Sequence, residues 1–280
     1  MYTVVKRRVL AEAIVLLEIL APDVANKAQA GQFVIVRQMH NSERIPLTIM
    51  DFDRQKGTVT IVLQAVGYSS KLLTEMEEGD NLLDFVGPLG QPTEIKNYGT
   101  VLCVGGGVGV APIHPIARAL RDAGNKVISI LAAKNKDLII LEEEMKAVSD
   151  EIVITTDDGS YGLKGFATHG VQAVLDRGLE ISAIWAIGPM IMMKSVADFT
   201  KPLGIKTLVS MNPIMVDGTG MCGACRVLVG QETKFACVHG PEFDGHLVDF
   251  DLAMKRSAYF RQEEAIALHE HKCQCQKEGK

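Results

Sequence analysis

Asp217-Gly-Thr-Gly-Met-Cys222-Gly-Ala-Cys225, followed by Cys237, sets four metal-competent side chains at separations of four, two and eleven intervening residues. Thiolates select soft centres: zinc, copper(I) or iron–sulfur clusters. Plant-type [2Fe–2S] sites use Cys-x4-Cys-x2-Cys and a distant fourth Cys, and Asp217 stands where the first of those cysteines would be. Gly218, Gly220 and Gly223 would let backbone amides converge on bridging sulfides, and such hydrogen bonds tune a cluster's potential. A structural zinc held by three Cys and one Asp is the competing metal reading. Zinc ribbons, however, usually pair two Cys-x2-Cys knuckles, and this chain has one. Free structural cysteines are the third reading.

Two further constellations concern phosphate. Gly105-Gly-Gly107-Val108-Gly109-Val-Ala-Pro112 follows a continuous apolar run and opens a helical pattern. Glycines there let the backbone approach a pyrophosphate, and a helix N-terminus supplies donors and a favourable dipole. A tight strand-to-helix turn that needs small residues would be spelled the same way. Asp157-Asp158-Gly159-Ser160-Tyr161-Gly162 follows the third apolar run of that region and is expected at the carboxyl end of the sheet, where ligands bind in open α/β folds. It reads equally as a nucleotide contact or as a polar Asp-Gly turn.

These residues must be held by two kinds of scaffold. Residues 1 to about 95 are β-rich, with short β-branched runs at Val34–Val36, Leu47–Ile49 and Thr58–Leu63 between turn residues, and one helix is expected at Ser69–Glu77. Such strands predict an antiparallel β-barrel or sandwich. Gly87-Pro-Leu-Gly90 and Pro92 break the pattern and mark the expected end of this region. From Thr100, apolar runs at Val101–Val104, Val127–Leu131, Ile152–Ile154, Ala183–Ile187 and Thr207–Val209 alternate with helical patterns at Ala111–Ala123, Leu138–Val148, Gly165–Arg177 and Met190–Leu203. That alternation predicts an α/β doubly wound parallel sheet of about five strands. Residues 212–245 hold six glycines and the cysteine cluster, and are expected to form a small module whose core is its metal. Phe250–Glu270 reads as one closing helix or two. The divisions are 1–96, 97–210, 211–250 and 251–280.

Composition narrows the field. At 280 residues with a net charge of −5, the chain carries no electrostatic footprint for nucleic acid or for an anionic membrane. Its longest early apolar run, Ala13–Leu20, is too short to span a bilayer and contains Glu18. No signal-peptide core follows Lys6-Arg7-Arg8. Six cysteines, three of them clustered, fit a metal site in a reducing compartment rather than a disulfide scaffold. A cytoplasmic protein is expected. His269-Glu-His271-Lys-Cys273-Gln-Cys275 reads as an exposed tail, Cys103 as strand packing, and His114 as a packing or surface histidine. No general acid, nucleophile or hydrolytic constellation stands out.

Arg44-Ile-Pro46-Leu47-Thr48 means little alone, because an Arg before a strand is usually a solvated charge. With Gly67-Tyr-Ser69-Ser70 some twenty residues later, it resembles the flavin-binding elements of the ferredoxin–NADP reductase superfamily. The resemblance implies that Arg44 reaches the FAD diphosphate, that Pro46, Leu47 and Thr48 line the isoalloxazine, and that Gly67, Ser69 and Ser70 help hold the phosphates. It extends to the glycine turn ending in Pro112 and to Gly188-Pro189-Met190, both implied to serve a nicotinamide nucleotide. Many members carry Cys just before that Gly-Pro; here it is Ile187, so no thiol role in hydride transfer is implied.

The cysteine module resembles that of dihydroorotate dehydrogenase electron-transfer subunits, in which a Cys fills the position of Asp217. The Asp version is similar to the small subunits of NADH-dependent reduced ferredoxin:NADP+ oxidoreductases, also described as sulfide dehydrogenase β subunits. That resemblance implies FAD, NAD(H) and one [2Fe–2S] cluster ligated by Asp217, Cys222, Cys225 and Cys237. It also implies a heterodimer with a larger flavoprotein carrying FAD and [4Fe–4S] clusters, through which ferredoxin is reached in electron bifurcation. The choice of NAD over NADP(H) rests on the resemblance, since Lys134, Lys136 and Asp137 offer both signs of charge. The alternatives are a dihydroorotate dehydrogenase electron-transfer subunit, or a nucleotide-binding module with structural zinc.

Overall fold

A computed structural model describes residues 2–40 and 42–278, with side chains through His269. The first region contains β1 (Tyr2–Ala11), β2 (Ile14–Leu20), α1 (Pro22–Ala25), β3 (Phe33–Arg37), β4 (Ile45–Asp53), β5 (Thr58–Gln64), α2 (Tyr68–Thr74), β6 (Asn81–Leu82) and β7 (Asp84–Leu89). The strands pair antiparallel in the order β6-β1-β2-β5-β4-β3-β7. Leu83 alone separates the two edge strands, so the sheet curls round into a near-barrel. Gly87, Pro88 and Leu89 lie within β7, so the sheet runs into the segment where the sequence pattern breaks. β2 shows no alternation, for a physical reason. Val15, Leu17 and Ile19 fill the barrel, while Ile14 and Leu16 on the opposite face join the core around the second sheet. A strand buried on both faces shows no period of two.

The second region follows as β8 (Thr100–Gly106), α3 (Val110–Asp122), β9 (Lys126–Ala133), α4 (Glu142–Val148), β10 (Glu151–Thr156), β11 (Leu163–Lys164), α5 (Ala167–Leu175), β12 (Ala183–Ile187), α6 (Met190–Thr200) and β13 (Lys206–Ser210). The five expected strands run parallel in the order β10-β9-β8-β12-β13, with the two-residue β11 added at the β10 edge. The chain builds outward from β8 through β9 to β10, then returns to β12 on the other side. The topological switch point, where such folds bind ligands, therefore lies between β8 and β12. α4 begins later than its periodicity suggests, because residues 136–138 form a single tight turn and Leu141 takes a left-handed φ of 56°.

The C-terminal region holds a hairpin of β14 (Arg226–Val229) and β15 (Glu232–Phe235), then α7 (Ala236–His239), β16 (Glu242–Asp244), α8 (Phe250–Ser257) and α9 (Arg261–Glu278). The apolar residues of the module are buried together with those of the parallel sheet. Met215, Cys225, Val227, Ala236, Cys237 and Phe243 are buried in one cluster with Val104, Ile184 and Val209 of the parallel sheet. β16 also pairs antiparallel with β13, extending that sheet by one strand. His271, Cys273 and Cys275 of the tail have side chains outside the described residues. Among the described residues, no helix is long and apolar enough to cross a membrane.

The three regions meet at Glu242. Trp185 Nε1 of β12 donates to its Oε2 at 3.2 Å, and the hydroxyl of Thr93, in the segment joining the two larger sheets, donates to its Oε1. Burial raises the Glu242 carboxyl above its ordinary range. A raised folded-state value stabilises the fold fully below about pH 4.5, and that contribution fades as pH rises through the folded value. Glu242→Gln cannot lose a proton, so its melting temperature relative to wild type should rise between pH 5 and pH 8. A pH-independent difference in thermal denaturation would contradict this.

Candidate functional site

Where the near-barrel meets the carboxyl edge of the parallel sheet, a cavity of about 830 Å³ opens. Pro46, Leu47 and Thr48 of β4 form part of one wall, with Phe33, Ile14, Val62 and Gln64 beside them. Gly107, Val108, Gly109 and Pro112 come from the turn into α3, and Gly188 and Pro189 from the turn into α6. Asp157 enters from the end of β10. The C-terminal side is closed by Ser210, Met211, Asn212, Met215 and Pro241.

The glycines of the β8 turn have separate tasks. A Cβ on Gly109 would lie 2.1 Å from the Ile187 carbonyl oxygen, and one on Gly105 would lie 2.8 Å from Val110 Cα. A Cβ on Gly106 would meet Met192 Sδ at 2.3 Å. These three let the β8 turn pack against its own helix and against the β12 turn. Gly107 differs: its φ is +54°, and a Cβ there would meet nothing within 4 Å. It is the one glycine of this turn whose missing side chain serves no packing contact, and it faces the cavity at the switch point.

Arg44, Gly67, Ser69 and Ser70 do not line this cavity, but the structure gathers them nearby. The Ser69 hydroxyl accepts from the Glu43 backbone N–H at 3.1 Å, tying the segment before β4 to the start of α2. Ser70 Oγ accepts from the Val66 and Gly67 amides at 3.0 and 2.9 Å, which caps α2. Arg37 Nε and Arg44 Nε lie 2.8 and 3.4 Å from Asp84 Oδ2, both without a directed hydrogen bond and screened from solvent. The Asp84 carboxylate thus holds both guanidinium groups on one side of the near-barrel. Gly105, Asp158, Gly159 and Met190 also lie outside the lining. Asp158 is turned onto Ser160, accepting from its amide at 2.9 Å and its hydroxyl at 2.6 Å.

In the cysteine module, the Sγ atoms of Cys225 and Cys237 stand 3.2 Å apart. Both are buried, whereas Cys222 is exposed. Burial, together with the neighbouring Cys225 thiol, pushes the Cys237 thiol up to about 12. Asp217 accepts from the Thr219 amide at 2.9 Å through Oδ1 and from the Cys222 amide at 2.8 Å through Oδ2. These amides, Thr219's first, hold its carboxyl below the usual range. Among the described residues, no three His, Cys, Asp or Glu side chains converge as a single-ion metal site would need. The arrangement is two pairs, Asp217 with Cys222 and Cys225 with Cys237, in a loop where Gly218, Gly220 and Gly223 all take positive φ. That donor set fits a two-iron cluster better than one ion.

Gly218 also sets how closely this loop approaches the barrel. A Cβ on it would lie 2.6 Å from Leu89 Cδ1 and 3.0 Å from Ile35 Cδ1. Phe33, Met211, Met215 and Pro241 were missed in the sequence, because apolar residues at the joint of two regions carry no local signal. Arg37 and Asp84, paired across neighbouring strands, were missed for the same reason. His114 is buried, its Nδ1 3.4 Å from the Met50 carbonyl, as a packing histidine would be; Cys103 is fully buried.

An antiparallel near-barrel joined to a parallel α/β sheet, with a cavity at the joint, defines the ferredoxin reductase-like class of two-domain folds. Phthalate dioxygenase reductase shares the fold at 18% identity and a TM-score of 0.58, over 81% of this chain and 85% of that one. Residues 212–249 match the iron–sulfur cluster binding domain of dihydroorotate dehydrogenase B. A homologue of the dihydroorotate dehydrogenase B (NAD(+)) electron transfer subunit from Thermotoga maritima is 47% identical, across 94% of this chain and 93% of its own. The chain belongs to the family of these electron-transfer subunits and their homologues. A chain of the NADH-dependent reduced ferredoxin–NADP oxidoreductase, solved for insight into flavin-based electron bifurcation, is 46% identical with a TM-score of 0.92, over 97% of this chain and 98% of that one.

The two glycine tasks separate by mutation. Gly109→Ala should cost about 3 kcal/mol, because backbone must move at the β8–β12 contact. Gly107→Ala should cost only about 1–2 kcal/mol of backbone strain, yet weaken nucleotide binding. Thermal melts with equilibrium titration of NADH check both; equal destabilisation by the two variants would sink the distinction.

Proposed function

We propose that this chain is the electron-transfer subunit of an NAD(H)-dependent oxidoreductase, with FAD, NAD(H) and a [2Fe–2S] cluster as cofactors. The observation that carries the reading is the single cavity that borders the near-barrel, the glycine turn of β8 and the cysteine module together. When bound, the flavin would exchange one hydride, two electrons at a time, with nicotinamide and single electrons with a cluster. In this reading Pro46, Leu47 and Thr48 form the wall against the isoalloxazine. Arg44, backed by Arg37, neutralises the diphosphate, and the segment Gly67 to Ser70 holds it in register. Gly107 admits the dinucleotide pyrophosphate, while Gly105 and Gly109 hold the turn in place. Gly188 and Pro189 orient the nicotinamide, with Met190 beginning the helix behind them. Asp157 meets a ribose hydroxyl, and Asp158 and Gly159 shape that loop. Asp217 and Cys222 serve one iron, and Cys225 and Cys237 the other.

A larger flavoprotein partner with FAD and [4Fe–4S] clusters completes the heterodimer, with ferredoxin served through it, in the cytoplasm. The similarity to the ferredoxin–NADP oxidoreductase chain supports bifurcation as the reaction. The match of residues 212–249 favours a second reading, the electron-transfer subunit of a dihydroorotate dehydrogenase. Asp217 argues against that reading, since a Cys fills the position there. Identification of the chain that co-purifies from the native source separates the two.

The purified protein should show flavin bands and a broad sulfide-to-iron absorption at longer wavelength. A colourless, zinc-containing preparation would end the proposal. Asp217→Cys should retain the cluster and shift its midpoint potential, because thiolate donates more charge than carboxylate. An unaltered potential and EPR spectrum would show that Asp217 only ties the loop through the Thr219 and Cys222 amides.

A further inference from the structure

The strand that forms part of the cavity wall and the helix that starts at the glycine turn meet again behind the cavity. Pro46, Leu47 and Thr48 line the cavity early in β4, and Gly109 and Pro112 line it where α3 starts. Beyond Thr48 the pairing of β4 with β5 slips by one residue. Ile49 faces Ile61 and Asp51 faces Thr60, so Met50 is an extra residue on β4. Such a β-bulge bends a strand and re-aims its groups. The Met50 side chain is buried with Ile113 and Ile116 of α3. Its carbonyl oxygen lies 3.4 Å from Nδ1 of the buried His114, also on α3. Asp51 Oδ1 lies 2.7 Å from Arg118 Nη2, one turn further along the helix. The Arg118 guanidinium stands 5.8 Å from the Phe52 ring centroid, and that of Arg54 stands 4.7 Å from it. A second ion pair, Arg8 of β1 with Glu144 of α4, also crosses from the near-barrel to the α/β region.

Each arm of this joint has one end at the cavity and one at the seam. Thr48 to Asp51 is about 10 Å along a strand, and Pro112 to Arg118 about 9 Å along a helix. Regular backbone is stiff over such a length, so a shift at the seam is carried to the cavity. Apolar packing is non-directional and brings the two faces together. The bulge carbonyl, the imidazole and the ion pair are directed, and fix the register at which those faces meet. Register matters for hydride transfer, in which NADH passes one hydride to FAD and leaves NAD+ and the reduced flavin anion. A misplacement of about 1 Å can slow such a reaction roughly a hundredfold. We propose that Met50, Asp51, His114 and Arg118 are positioning residues for hydride transfer, setting where the nucleotide turn stands against the flavin wall. None of the four lines the cavity, so they act through β4 and α3. This rests on the flavin and nucleotide reading above and adds the residues that hold the two sites in alignment.

The test uses the full chain loaded with flavin and cluster. Stopped-flow absorbance follows flavin reduction by NADH. The long-wavelength charge-transfer band reports nicotinamide stacked on flavin, and calorimetry with ADP-ribose reports the nucleotide turn without nicotinamide. Arg118→Met and Asp51→Asn should each slow flavin reduction roughly tenfold and weaken the band. Asp51→Asn keeps the acceptor for the Phe52 amide and loses only the charge. ADP-ribose affinity should stay at the wild-type value. Melting temperature should fall only slightly, because an ion pair this exposed adds little stability. Arg118→Lys keeps the charge and should recover part of the rate. His114→Asn, which keeps a donor for the Met50 carbonyl, should reduce its flavin faster than His114→Phe does. Wild-type rates and band in Arg118→Met and Asp51→Asn overturn the positioning role and leave the nucleotide reading standing. A rate loss matched by an equal loss of ADP-ribose affinity also overturns it, by placing these residues in binding. A wild type that binds no ADP-ribose, and whose flavin neither NADH nor NADPH reduces, overturns both.

Discussion

Beside the core inside the near-barrel, two shared cores join the three regions of this chain. Ile14, Leu16, Met50 and Val62 of the near-barrel are buried with Ile113 and Ile116 of α3 and with Trp185 of β12. Phe33 and Ile35, from the same near-barrel, are buried with Val104 of the parallel sheet and with Cys225 and Cys237. Shared burial of this kind is non-directional but close-packed, and it resists sliding. The cavity lies where these packed surfaces meet, so its walls are the outer layer of a continuous interior. A subunit that passes electrons between carriers needs their spacing held, and interlocked cores hold it without a dedicated strut.

Polar contacts then refine what packing has placed. Glu242 ties the inter-sheet segment, β12 and β16 through the hydroxyl of Thr93 and the indole of Trp185. Ser69 fastens the segment before β4 to α2. Asp217 shapes the cysteine loop with both of its oxygens. The Glu242 and Ser69 contacts join residues distant in sequence, whereas Asp217 bonds within its own loop.

Periodicity made the parallel sheet legible. All five apolar runs from Val101 to Val209 are strands, because residues buried on both faces by helices leave a continuous signature. The near-barrel was harder. β1 carries Lys6, Arg7 and Arg8 in succession, and Arg7 is used internally, donating to the Thr74 carbonyl. The site divided along the same line. Glycines, cysteines and the Arg44 element announce themselves by type and spacing. Phe33, Met215 and Pro241 become cavity lining only when distant regions dock, and nothing local to them encodes that. The glycine turn was read as one unit, yet three of its glycines serve packing and one serves space, a division visible only from what a Cβ would strike.

Gly218 carries a consequence for how such proteins can diversify. A Cβ on it would strike the ends of the Leu89 and Ile35 side chains, so a larger residue in the loop requires the barrel surface to give way with it. The cysteine module is therefore not a cassette to be lifted onto another reductase by joining chains at a convenient linker. A chimaera would have to bring the facing surface of β3 and β7 with it, or leave the loop standing off from its host. Recombination among relatives should respect that seam, with the iron-binding loop and the two barrel strands inherited as one piece although the whole parallel sheet lies between them.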